Sequence, residues 1–300
     1  MGKSATTGRR AFAIVSDSGH NVPPALWRSD DYREVPFTIN FGVDGSVDDG
    51  VLGLDEFADL LDRYERGAGY PTTAAPAPGR FLEAFRRCLQ EGYEKILAIT
   101  ISSGLSKTYE SALEAANLLR QQHPEAEVEV ADSQTGSMAQ GFLLLEAAEA
   151  RRRGFSLAQA RRAVEELSSR IRFLATFETT KYLVKSGRAR SVQHLLTSVL
   201  NIRPIITLRG GAVVLFGRVR GRMEKAIDSI VEEVRHSRNL GRISVIEGIA
   251  PDLKEMLVQR LTKALNLRRD QIVEAKIGPA FLVHTGKRAV GVAWEEKREP

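Results

Sequence analysis

The densest run of side chains able to hold an anion is Ser102-Ser103-Gly104-Leu105-Ser106-Lys107-Thr108. The apolar, β-branched stretch 96–101 precedes it, and Tyr109, Leu113, Ala116 and Leu119 follow at helical spacing. The segment therefore reads as a buried strand, a hydroxyl-rich turn and an amphipathic helix. The first N–H groups of a helix lack internal partners, and the positive end of the helix dipole adds to their pull on a carboxylate or phosphate. Three serines and Thr108 supply further donors. A plainer reading stands beside this one: Ser106 is the helix N-cap and nothing more.

Other chemistries find less support in the residues. Ser106, His284 and Asp132 are the types a serine hydrolase needs, but Gly104-Leu105-Ser106-Lys107-Thr108 lacks the final glycine of a nucleophile elbow. Gly286-Lys287 resembles the end of a phosphate-binding loop, yet Phe281 stands where its leading glycine belongs. Five scattered histidines (20, 123, 194, 236, 284) and one cysteine form no metal-ligand pattern, so neither a metal nor a cofactor is expected. Forty-three Lys and Arg against 38 Asp and Glu give a net charge of +5, with arginines grouped at 151–153, 161–162, 218–222 and 268–269. This admits an acidic partner. Aromatics make up only 7% and do not alternate with the basic residues, so no nucleic acid is expected, although a nucleic-acid-binding regulator and a small-molecule hydrolase are kept as rival classes.

These residues need elements to position them, and the elements alternate. Segments 11–16, 35–41, 96–101 and 127–131 read as strands, and 54–66, 79–91, 107–122 and 137–152 as helices, which is the pattern of an α/β fold with a parallel sheet. Ligands of such sheets sit beyond the carboxyl ends of the strands, where 16–19, 102–106 and 132–136 are all hydroxyl-rich. Three polar strand ends converging on one rim are therefore expected. Beyond helix 157–169 the pattern changes to strand 172–178, a helix-like 190–200, and a hairpin through 204–217 turning at Arg209-Gly210-Gly211. Helix 223–236, strand 242–247, helix 251–265, strand 271–277 and a final pair at 280–284 and 289–294 follow. Two domains are expected, an N-terminal α/β domain over 11–169 and a smaller α/β domain over 170–296, whose final residues could return to the first. The loop 71–79, with three prolines, should form a stiff extended approach to the next helix. Cys88 lies within a helical apolar pattern and reads as packing, and a single cysteine fits a reducing compartment. No apolar stretch reaches the length of a membrane span and no cleaved secretory signal is apparent, so a cytoplasmic protein is expected. Gly2 with Thr6 matches a myristoylation pattern too short to carry weight.

Taken in order, the motifs form a set. Val15-Ser16-Asp17-Ser18, Val35-Pro36, Asp49-Gly50, the Thr73/Pro76/Pro78-Gly79 loop, 101–109, Asp132-Ser133, 182–188 and His284-Thr285-Gly286 run through nearly the whole chain. This order resembles the DegV family, fatty-acid-binding proteins that serve as the acyl-carrying subunit of bacterial fatty acid kinase. The resemblance implies a two-domain fold, with a parallel-sheet, three-layer N-terminal domain, and an acyl chain buried between or within the domains. It implies no enzymatic activity of the chain itself. By motif, Thr73 and Ser106 match the residues that hold the carboxylate, while His284 and Arg188 match residues near the head group and entrance. His284 read plainly ends a strand, and Arg188 is a solvated charge.

The acyl tail needs apolar walls, for which Phe173, Leu174, Leu195, Leu196, Val199, Ile202 and Phe281 are candidates that periodicity alone would call core. Two departures bear on the head group. The family's usual Thr-Ser-Gln-Pro-Ser loop reads Thr73-Ala74-Ala75-Pro76-Ala77 here, and its usual glycine after the turn serine is Lys107, placed to add positive charge or to point into water. Arg218, Arg220 and Arg222 stand at spacing two on an extended segment and share one face, which reads as a solvated face or as a docking surface. The resemblance favours docking of an ATP-dependent fatty acid kinase.

Overall fold

The structure, a computed structural model, describes residues 11–27, 32–64, 66, 69–188, 202–237 and 239–297. The strands are β1 (Ala13–Asp17), β2 (Arg33–Val35), β3 (Thr38–Asn40), β4 (Ser46–Asp48), β5 (Thr72–Ala74), β6 (Lys95–Thr100) and β7 (Glu127–Asp132), then β8 (Ile171–Phe177), β9 (Ile202–Arg209), β10 (Ala212–Arg220), β11 (Leu240–Glu247), β12 (Ile272–Lys276) and β13 (Ala289–Glu296). The helices are α1 (Leu54–Arg63), α2 (Pro78–Gln90), α3 (Thr108–Gln122), α4 (Ser137–Arg152), α5 (Leu157–Ser168), α6 (Lys181–Lys185), α7 (Met223–Arg235), α8 (Pro251–Leu265) and α9 (Pro279–Thr285).

Among the described residues three sheets organise the α/β fold. The first is parallel, in the order β2-β1-β6-β7, and buries both faces. Strand period explains the double burial: Ile96 and Ala98 of β6 join the core under α2 and α3, and Leu97 and Ile99 join the core under α4 and α5. Every strand from Ile171 onward belongs to a six-stranded mixed sheet ordered β10-β9-β8-β13-β11-β12. Its Leu174, Val245, Val290 and Val292 face α7 and α8, while Ala175, Phe177, Ile246 and Ala289 turn toward the first half of the chain. β13 lies between β8 and β11.

Two expectations are corrected. The stretch 35–41 is not one strand: β2 ends at Val35, Pro36 interrupts it, and β3 pairs instead with β4 and β5 in a small antiparallel sheet that periodicity did not reveal. Residues 280–284 form α9 and not a strand, because Pro279 occupies its first turn and the Asp49 carboxylate accepts the Ala280 N–H at 3.0 Å. The helix-like 190–200 lies outside the described residues.

Candidate functional site

An apolar cavity with about 1040 Å³ of empty space, its mouth included, lies over the free face of the six-stranded sheet. Its floor follows from strand register. Ala175 sits opposite both Ile206 and Gly291, and Gly291 opposite Ile246, so the two smallest residues occupy the middle of a row across four strands. That makes a trough. A Cβ on Gly291 would stand 3.1 Å from the Ala175 Cβ and 2.8 Å from the Leu174 carbonyl oxygen, so only glycine fits without movement. Phe173, Phe177, Phe37 and Phe281 complete apolar walls.

Four polar side chains that the sequence singled out line this cavity: Thr73, Ser106, Arg188 and His284. β5 carries Thr73 and α9 carries His284, and the two meet with Thr73 Oγ1 and His284 Nε2 2.7 Å apart. His284 Nδ1 is buried without a partner among the described residues. Burial, and secondarily the Arg188 charge, push the His284 imidazole down to about 3, so it is neutral at pH 7. Arg188 is itself exposed and donates through Nη1 to the Ser186 carbonyl at 2.9 Å. The cavity thus has a mostly apolar lining that includes hydroxyl, imidazole and guanidinium groups and the buried Glu247 carboxylate, which pairs with Lys254 at 3.3 Å, an arrangement suited to an amphiphile with a polar head.

The three polar strand ends do converge, but mainly upon one another. Asp17 is fully buried and accepts hydrogen bonds from the Ile101 and Gly19 N–H groups and from Gln140 Nε2. Ser103 Oγ donates to Asp132 at 2.6 Å, and Ser102 Oγ to the Gly211 carbonyl at 2.7 Å. Of that rim, Ser106 and the backbone region at 136–137 reach the cavity. These hydroxyls fasten loops together.

Several residue assignments change. Lys107, not Ser106, holds the N-cap position of α3 and makes no side-chain cap, while Ser106 Oγ bonds Thr108 Oγ1 at 2.7 Å. The hydrolase triad is not assembled, since His284 is engaged with Thr73, Asp132 with Ser103 and Ser106 with Thr108. The Lys107 side chain is 82% exposed and pairs with Glu110 at 3.0 Å, so it points into water. Among the acyl-wall candidates Phe173 and Phe281 line the cavity, whereas Leu174 faces the opposite core and Ile202 lies off the lining. Alternation along β8 is the reason: neighbours on a strand face opposite sides. Leu195, Leu196 and Val199 lie outside the described residues. The trough residues Ala175, Ile206 and Gly291 were missed, because nothing but register across four strands brings them together.

Arg218 and Arg220 are exposed on β10, an edge strand, and Arg222 is exposed at the N-cap of α7. Val219 between them packs inward against the core under α7, which leaves the arginines on the outer side. They do not line the cavity. Cys88 is buried with its thiol pushed up to about 12 by desolvation, which suits a packing role. No cluster of His, Cys, Asp and Glu among the described residues could hold a metal, and no described helix is long and apolar enough to cross a membrane.

This architecture, an apolar cavity with a few polar side chains set on the six-stranded sheet of an α/β chain, has counterparts among known proteins. The chain matches the profile described as "Uncharacterised protein, DegV family" over residues 11–297, and it belongs to that family. It is 32% identical over 293 residues to a DegV domain-containing protein of Caldanaerobacter subterraneus subsp. tengcongensis, covering 95% of this chain and 99% of the relative. A DegV domain-containing protein of Deinococcus radiodurans is 31% identical over 290 residues, covering 95% of this chain and 98% of the relative. Among solved structures, one described as "Fatty Acid Binding of a DegV family Protein from Thermus thermophilus" superposes with a TM-score of 0.84 at 27% identity, covering 96% of this chain and 100% of the other.

Proposed function

We propose that the protein is a non-enzymatic carrier that holds a long-chain fatty acid in the trough, with the carboxylate at Thr73 and Ser106 and with His284 and Arg188 beside it. The observation that carries this reading is the pairing of an apolar trough with the Thr73–His284 contact on one margin. About 15 buried methylenes at roughly 0.8 kcal/mol each contribute on the order of 12 kcal/mol before the costs of binding, enough for tight retention. The Thermus thermophilus protein described as fatty acid binding supports the assignment by its likeness over nearly the whole chain.

The head group sets the proton positions. Neutral His284 carries one ring proton, and placing it on Nε2 lets the ring donate to Thr73 Oγ1 at 2.7 Å. The Thr73 hydroxyl proton is then free to point at the carboxylate. Ser106 can turn its own proton there while still accepting from Thr108. Arg188 at the exposed margin neutralises the head group charge.

This reading extends to the partner and the setting. The carrier offers its bound acid to an ATP-dependent fatty acid kinase that forms the acyl-phosphate, with Arg218, Arg220 and Arg222 as the docking surface, in the cytoplasm. Residues 11–169 and 170–296 act as its two domains. Native mass spectrometry of protein purified from cells tests the central claim. A co-purifying mass in the long-chain fatty acid range is the expected result, and protein that neither carries nor takes up such an acid would refute it.

A further inference from the structure

The small sheet of β3, β4 and β5 sits beside α9 and, together with α6 and α1, holds that helix. β5 brings Thr73 to His284, and the Tyr70 hydroxyl donates to the Val283 carbonyl near the helix C-terminus. At the other end stands Asp49, the residue after β4, only 7% exposed. Its Oδ1 accepts the Ala280 N–H at 3.0 Å, and its Oδ2 accepts the Ser18 hydroxyl at 2.7 Å. Ser18 Oγ in turn accepts the Phe37 N–H at 3.2 Å, and the Asp49 N–H donates to the Phe37 carbonyl at 2.8 Å. The carboxylate is therefore held from two sides before it caps the helix.

The geometry has room for little else. A Cβ on Gly278 would stand 3.3 Å from Asp49 Oδ1, so the carboxylate approaches α9 across a glycine. Ala280 precedes His284 by four residues, about 6 Å and one helical turn, on the same helical face. A tilt of the helix N-terminus therefore moves the imidazole.

We propose that Asp49 is a positioning residue for the head-group site: anchored by Ser18, it pins the N-terminus of α9 to the small sheet and so sets His284 against Thr73. The inference rests on the fatty-acid reading for its functional consequence, but not for its structural one. Asp49 is not among the residues that line the cavity. It acts through the helix.

The test compares Asp49→Ala, which removes the cap, with Asp49→Asn, which keeps an acceptor for Ala280, and with Asp48→Ala as the neighbouring control. Asp48 pairs with Arg80 on the surface at 2.6 Å and has no part in the site. Two readouts are taken: retention of palmitate, and the titration of His284 by NMR in delipidated protein. Asp49→Ala should retain about tenfold less palmitate and shift the His284 pKa upward, because a displaced ring gains contact with water and loses the burial that chiefly depresses it. Asp49→Asn and Asp48→Ala should stay near wild type in both. If Asp49→Ala does not fold, Gly278→Ala, which crowds the carboxylate, should give the same shift in weaker form. An unchanged His284 titration in the variant that folds, or an equal shift in Asp48→Ala, overturns the proposal. Wild-type protein that binds no palmitate overturns the fatty-acid reading instead, and the His284 titration alone then decides the role of Asp49.

Discussion

Thr73 Oγ1 and His284 Nε2 lie 2.7 Å apart although 211 positions separate them in the chain. The pair joins the small antiparallel sheet to α9, and both residues line a mostly apolar cavity. Neither residue is charged at neutral pH, so what they offer an anion is direction: a chain of hydrogen bonds that ends in a hydroxyl proton.

Replacing Thr73 with Val and Ser106 with Ala together should lower fatty-acid retention while leaving the fold intact. Each change removes a hydroxyl assigned to the carboxylate, and a hydrogen bond to a charged group contributes roughly 1.5–3 kcal/mol. The loss expected is at least tenfold in affinity per site, read by competition with a fluorescent fatty acid. A double variant that holds as much lipid as wild type would place the carboxylate elsewhere.

The sequence brought Thr73, Ser106, Arg188 and His284 together because each falls in a motif whose order along the chain is distinctive, and the structure sets all four on one cavity lining. The parallel first sheet was legible too, since apolar runs such as 96–101 are bounded by turn residues. What escaped was decided across the chain rather than along it. Ala175, Ile206 and Gly291 are ordinary small and branched residues until register sets them side by side. The residues of α9 look strand-like in isolation, and it is Asp49, 231 positions away, that caps them as a helix. Ser102 and Ser103 looked like ligand donors, but their hydroxyls find partners in neighbouring loops, the Gly211 carbonyl and the Asp132 carboxylate.

Filling the trough should abolish binding without removing any polar group. Ala175 lies in the middle of the row between Ile206 and Gly291, so Ala175→Phe would place a ring where the acyl chain runs. Overpacking in delipidated protein costs about 1–3 kcal/mol, or a fall in Tm of roughly 2–12 °C at this size. The same ring in a vacant trough has space to occupy, so the lower end is expected. Native mass spectrometry showing a full complement of bound acid in this variant would mean the chain lies off the sheet.

His284 gives the apo protein a pH dependence whose sign can be worked out. Its pKa is pushed down to about 3 in the folded state against 6.5 as the ordinary value, so the unfolded chain binds the extra proton between these limits. The stability tied to a neutral ring is present above pH 6.5 and is lost as pH falls toward 3. Asp17 works the other way, because burial raises it to about 6 and its contribution falls as pH rises from 3.8 to 6. The informative quantity is therefore the Tm of delipidated wild type minus that of His284→Gln, in which Asp17 and the paired surface carboxylates cancel. That difference should shrink by several degrees between pH 7 and pH 4. A flat difference would show that the ring is not held neutral.

Reversing Arg220 and Arg222 to Glu should separate carrying from coupling. Both side chains are exposed, Arg220 on an edge strand and Arg222 at the N-cap of α7, and neither lines the cavity. Arg218 and Arg220 sit on the outer side of the hairpin and Arg222 follows at the start of α7, with no acidic neighbour paired to any of the three among the described residues. Such a patch costs little in water and attracts an acidic surface, with a strength that salt screens over about 8–10 Å. The double reversal should leave the bound fatty acid and the Tm of the carrier unchanged. It should also abolish kinase-dependent phosphorylation of that acid at moderate ionic strength, while in wild type the same reaction should weaken as salt is raised. Loss of lipid with kinase coupling preserved would put these arginines in the binding site and remove the docking surface from this face.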